Sequence, residues 1–110
     1  MFLAKAADKI VLNILNKIDY GYLELTTYDG KIFQFGDPSH YLKANLIINN
    51  PNFNYNLIKS GSVGLAECYM RNEFQTANLS NLIELTARNI KLIHKFAGIL
   101  DIPVINFVKN

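Results

Sequence analysis

The segment from Tyr20 to Phe35 constrains the fold most. Apolar and polar side chains alternate from Tyr20 to Tyr28, with Leu23, Leu25 and Thr27 on one face and Tyr22, Glu24 and Thr26 on the other. Asp29-Gly30 supplies a turn, and Lys31 to Phe35 supplies a return strand. A two-residue Asp-Gly loop sets Phe33 opposite Thr26 and Phe35 opposite Glu24, which mixes apolar with polar. A three-residue loop, Tyr28-Asp29-Gly30, sets Phe33 opposite Leu25 and Phe35 opposite Leu23. A slip of one residue moves every side chain to the other face, so the pairing that gathers four apolar side chains on one face is the predicted one. Gly30 is then left-handed and forms a bulge.

The remaining segments read as follows. Residues 2–18 form a helix with an apolar stripe of Leu3, Ala7, Ile10, Ile14 and Ile18. Gly36 to Ser39 is a loop, with Pro38 holding Asp37 extended. Residues 43–49 form a third strand, with Ala44, Leu46 and Ile48 on one face. Asn50 caps a helix that starts at Pro51, buries Phe53 and Leu57, and ends near Ser60 at Gly61. Gly64 opens a short, tightly packed helix that Asn72 ends in a left-handed conformation. Glu73 to Thr76 is a short fourth strand. Asn78 or Ser80 caps a long last helix with an inner stripe of Leu79, Leu82, Ile83, Ala87 and Ile90 and a second stripe of Leu85, Leu92 and Phe96, closed by Gly98. A helix apolar on two sides is buried twice, or buried once and paired with a partner. The predicted class is α+β: a small, mostly antiparallel curved sheet of three to five strands covered by helices.

The run Gly61-Ser62-Val63-Gly64-Leu65-Ala66-Glu67-Cys68-Tyr69-Met70-Arg71-Asn72-Glu73-Phe74 resembles the signature of the N-terminal domain of the cyclopropane-fatty-acyl-phospholipid synthase family. That signature reads like Gly-Ser-Leu-Gly-Leu-Gly-Glu-Ala-Tyr-Met-Asp-Gly-Glu-Trp. Gly61, Ser62, Gly64, Leu65, Glu67, Tyr69, Met70 and Glu73 match it. Arg71 and Asn72 depart from the Asp-Gly of the family; Asn72 mimics the glycine turn, and Arg71 reverses a charge. The weaker likeness over residues 1–97 implies a sterol-carrier-protein-like domain. It also implies that 98–110, apolar and interrupted by Pro103, start a linker towards a C-terminal methyltransferase domain.

The resemblance implies an accessory role, because the family's methylene transfer from S-adenosylmethionine to a phospholipid acyl chain belongs to that other domain. No cofactor and no catalytic residue is expected here. The implied partners are the chain's own methyltransferase domain, a phospholipid surface and a second copy. The implied lipid-binding or docking residues are Gly64, Leu65, Glu67, Tyr69, Met70 and Phe74. Lys5, Lys9 and Lys17 are the basic residues best placed to meet anionic lipid. A free-standing lipid carrier or protein-interaction module is the alternative, and it calls for a ligand-sized apolar cavity.

The residues themselves offer little chemistry. His40 and His94 stand apart and lack partners at metal-ligand spacing. Cys68 is expected to be a core thiol, and Glu67 a carboxylate that fixes the start of its helix. The two glycines lack the Lys-Ser/Thr ending of a phosphate loop. A net charge of +2 and no basic–aromatic run argue against nucleic acid. One cysteine and a first segment broken by Lys5, Asp8 and Lys9 predict a cytoplasmic protein without a signal peptide, and the family resemblance implies a place peripheral to the inner membrane.

Overall fold

The structure, a computed structural model, describes residues 2–60 and 64–93, with side chains from Lys5 onwards. Eight elements follow one another: α1 (Phe2–Leu15), β1 (Tyr22–Thr26), β2 (Ile32–Gly36), β3 (Lys43–Ile48), α2 (Phe53–Ser60), α3 (Gly64–Met70), β4 (Phe74–Gln75) and α4 (Leu79–Arg88). Residues 90–93 are helical again. The class is α+β, with an open four-stranded sheet in the order β2-β1-β3-β4. Pairs β1–β2 and β3–β4 are antiparallel, and β1–β3 is parallel.

The hairpin has the three-residue loop. Leu25 pairs with Phe33 and Leu23 with Phe35. Thr27 and Lys31 close the loop, the Gly30 N–H donates to the Thr27 carbonyl at 3.0 Å, and Gly30 has φ +87°. Burial of Leu23, Leu25, Phe35, Ala44, Leu46 and Ile48 marks one face of the sheet as the core face. Ile18, Phe53, Cys68, Leu82 and Leu85 join them in one cluster, and Leu12 and Leu15 of α1 pack against it. Helices therefore cover one face. On the other, Ile32, Gln34, Ile47 and Gln75 are exposed.

β1 and β3 lie parallel because the chain crosses the end of β1 between β2 and β3. Gly36 and Gly21, both at positive φ, meet there. The Asp37 N–H donates to the Gly21 carbonyl at 3.1 Å, and the Tyr22 N–H donates to the Leu42 carbonyl at 3.0 Å. A Cβ on Gly36 would stand 2.1 Å from the Gly21 oxygen, so no side chain fits.

Two helix boundaries differ from the sequence reading, and the cap of the last helix is settled between its two candidates. α1 ends at Leu15 because the Lys17 and Ile18 N–H groups reach back three residues, to Ile14 and Leu15. That tightened turn still delivers Ile18 to the core. α2 begins at Phe53 and not at Pro51, because the Asn50 side chain accepts from the Asn52 N–H at 2.8 Å and makes a turn first. Asn78 is the cap of α4, its side chain accepting from the Asn81 N–H. The predicted closures by Gly61 and Gly98, the side chains of Leu3, His94 and Phe96, and the segment 98–110 lie outside the described residues.

The inner face of α4 is also corrected. Leu82 and Leu85 are buried, while Ile83, Ala87 and Ile90 are exposed. The cause is Asn89, which sits in the core at 1% exposure. Its Oδ1 accepts from the Asp19 and Tyr20 N–H groups at 3.1 and 3.2 Å. Its Nδ2 donates to the Tyr20 and Leu85 carbonyls, both at 2.8 Å. Turning Asn89 inward fixes the rotation of the helix, and Leu82 and Leu85 share its face at helical spacing. Asn89→Ala leaves several backbone groups unpaired and is expected to cost about 3 kcal/mol in urea denaturation. Gly36→Ala is expected to cost a similar amount, about 3 kcal/mol, through the steric clash and the positive φ. A loss below about 1 kcal/mol in either variant contradicts these assignments.

Candidate functional site

α2 and α3 form a tight corner at the signature run. Gly64 is buried there, and a Cβ on it would stand 2.6 Å from the Leu57 carbonyl oxygen. Cys68 faces the core at 0% exposure, which makes it an interior thiol. Asn72 takes φ +62°, the Asn72 N–H donates to the Tyr69 carbonyl, and the Glu73 N–H donates to the Cys68 carbonyl. This is the hydrogen-bond pattern of a helix stop with a left-handed residue, which Asn tolerates.

Of the residues named for docking, Gly64 and Phe74 are interior, Leu65 packs against the core, Glu67 is half-buried in the first turn of α3, and Tyr69 and Met70 are exposed. The Tyr69 ring lies 5.6 Å from that of Phe74. The buried carboxylate of this region is Glu73, which the sequence reading passed over in favour of Glu67. Glu73 Oε1 accepts from Asn56 Nδ2 at 2.9 Å, and Oε2 accepts from Arg71 Nε at 2.6 Å. Burial pushes the Glu73 pKa up, but hydrogen bonds from Asn56 and Arg71 and the Arg71 charge outweigh it and hold it below the ordinary value. Burial, then the Glu73 charge, push the Cys68 thiol up to about 11. A thiol so placed stays protonated at neutral pH and is a poor nucleophile.

A cleft of about 360 Å³ lies between α1, the hairpin and the start of α2. Leu12, Leu25, Phe33 and Ile48 give it an apolar floor. Lys5, Asp8, Tyr28, Asp29, Lys31 and Asn54 supply its polar wall. Lys31 and Asp29 pair at 3.8 Å. Asn54 is 5% exposed; its Nδ2 donates to Asp8 Oδ1 at 2.8 Å. Asn54 Oδ1 is buried and has no hydrogen-bond partner among the described residues. Leaving such an acceptor unpaired costs about 1–3 kcal/mol. Of the three basic residues named for lipid contact, Lys5 is on this wall, and Lys5, Lys9 and Lys17 are all exposed.

On the other flank, Tyr20, His40 and Tyr41 form a ring cluster, with Arg88 5.2 Å above Tyr20. The hydroxyls of Tyr20 and Tyr41 share a hydrogen bond, which raises the Tyr41 pKa. His40 Nδ1 accepts from the Leu42 N–H at 3.0 Å, so this histidine holds its own loop. Among the described residues no three His, Cys, Asp or Glu side chains gather as metal ligands, and no helix is long and apolar enough to cross a membrane.

The depressed Glu73 pKa sets a pH dependence. The pair adds stability above the unfolded Glu pKa, and that stability is lost as pH falls through the lower folded value. The acid limb of urea stability, measured from pH 6 downward, is expected to flatten in Glu73→Gln; an unchanged limb contradicts the assignment. No protein-family model, curated protein or solved structure matches the chain.

Proposed function

We propose that this chain is a non-catalytic, lipid-contacting module serving a cyclopropane-fatty-acyl-phospholipid synthase-like methyltransferase. The observation that carries the reading is α1: it exposes Lys5 and Lys9 and forms one wall of a cleft with an apolar floor. The volume, about 360 Å³, falls within the usual range of small-molecule sites. An apolar floor below a lysine-bearing rim suits an amphiphile, with its chain inside and its head at the surface. Each lysine near an anionic bilayer adds about 1 kcal/mol of attraction.

The link to the synthase family rests on the signature run. Asn72 occupies the left-handed turn where the family carries glycine. Arg71, which reverses the family's acidic residue, pairs inside the chain with Glu73. The Leu57 backbone packs against Gly64, which suits a helix-corner glycine. The family's methylene transfer belongs to a separate domain in this reading. The module acts peripherally at the inner membrane, beside that domain and in contact with a second copy. The same cleft supports the free-standing lipid carrier as the second reading. The mass of the native gene product separates the two: well above 12.5 kDa for the first, 12.5 kDa for the second.

Vesicle flotation tests the shared core of both readings. The chain is expected to bind phosphatidylglycerol vesicles, more weakly as salt rises, and Lys5→Glu with Lys9→Glu is expected to lower binding about tenfold or more. Salt-independent binding removes the lysines from the account, and no binding removes the membrane surface.

A further inference from the structure

We infer that two copies of this chain join edge to edge through β2, antiparallel, about a two-fold axis at Gln34. This gives the second copy of the proposed reading its surface, and the features of β2 that carry it are independent of lipid.

β2 is an edge strand: among the described residues no strand lies beyond it. The Thr27 N–H donates to the Lys31 carbonyl at 2.8 Å and the Asp37 N–H to the Gly21 carbonyl at 3.1 Å, so the odd-numbered positions of this segment bond towards β1. The alternation of an antiparallel ladder then points the N–H and C=O groups of Ile32 and Gln34 away from the sheet. Both residues are exposed, Ile32 at 62%. An open edge with an apolar side chain on it is a template for another strand.

The sequence selects a second copy and one register. Lys31-Ile32-Phe33-Gln34-Phe35-Gly36-Asp37 is complementary to its own reverse. With Gln34 opposite the partner's Gln34, Lys31 meets the partner's Asp37, Phe33 meets the partner's Phe35 and Ile32 meets the partner's Gly36, each twice. The charged and aromatic pairs fall at the closer, non-hydrogen-bonded positions, and both kinds of pair stabilise sheets. Half-buried Phe33 gains cover, and Ile32 lies over a residue without a side chain. The next registers on either side set Lys31 opposite the partner's Phe35, or Asp37 opposite the partner's Phe33. Lys31 lies 3.8 Å from Asp29 in a pair open to solvent, so its ammonium can be shared. Hydrogen bonds from Ser39 hold the Asp37 carboxyl below its ordinary value, which keeps it ionised at neutral pH.

Sedimentation equilibrium of the whole 110-residue chain, up to about 1 mM, tests this, since so small an interface makes a weak dimer. The native chain is expected to form a concentration-dependent dimer of twice 12.5 kDa. Lys31→Asp and Asp37→Lys each set like charges opposite and are expected to weaken it about tenfold or more. Mixing the two single variants pairs opposite charges again and restores association. Gln34→Pro removes an outward N–H, leaves the ladder to β1 whole and abolishes the dimer. A native chain that stays a monomer throughout overturns the inference, and vesicle flotation still judges the lipid reading separately. Slow hydrogen exchange at Ile32 and Gln34 in such a monomer assigns the edge to a segment of the same chain. A dimer that these substitutions leave intact uses another surface and overturns the inference as well.

Discussion

A single buried carboxamide, that of Asn89, ties the end of α4 to the backbone in front of β1. Three hydrogen bonds join it to Asp19 and Tyr20, just before β1, and a fourth returns to the Leu85 carbonyl in α4 itself. Backbone groups at Asp19 and Tyr20 leave water here and find no partner in a helix or strand. Asn offers both an acceptor and a donor pair, so one side chain answers both kinds of group. Its inward turn then dictates which face of α4 meets β3. The exposure of Ile83, Ala87 and Ile90 is a consequence of that rotation, not of local hydrophobicity.

This explains where sequence reasoning succeeded and where it failed. The hairpin register was legible because only one pairing buried Leu23, Leu25, Phe33 and Phe35 together. The third strand, read one residue too long at 43–49, and the helix stop at Asn72 were legible for similar local reasons, while the cap of α4 was narrowed only to Asn78 or Ser80. The rotation of α4 was not, because apolar periodicity alone ranks Ile83 and Ile90 with Leu82, and the deciding residue is polar. The crossing at Gly21 and Gly36 was hidden too. Two glycines fifteen positions apart carry no sign that their backbones touch.

The functional regions divide in the same way. The corner of α2 and α3 was visible in the spacing of small residues, and Gly64 against Leu57 is its physical basis. The acidic residue that matters most for charge there is Glu73, since it combines deep burial with the Arg71 and Asn56 partners. Arg71 is needed where it stands: without it a buried carboxylate would lose its countercharge. The cleft was out of reach of the sequence, because its floor and wall come from α1, the hairpin, β3 and α2. Of its residues only Lys5 had been named as a candidate lipid contact, and for its charge alone. Asn54 is polar, yet it is buried and bonds to Asp8 of α1.

Chemical-shift mapping of the labelled chain with a short-chain alcohol tests the central claim most directly. If the cleft is the lipid site, the methyl signals of Leu12, Leu25 and Ile48 and the side-chain amide of Asn54 shift together and saturate at one affinity. Shifts confined to Tyr69 and Met70 on α3, or to Ile32 and Ile47 on the open sheet face, would contradict it.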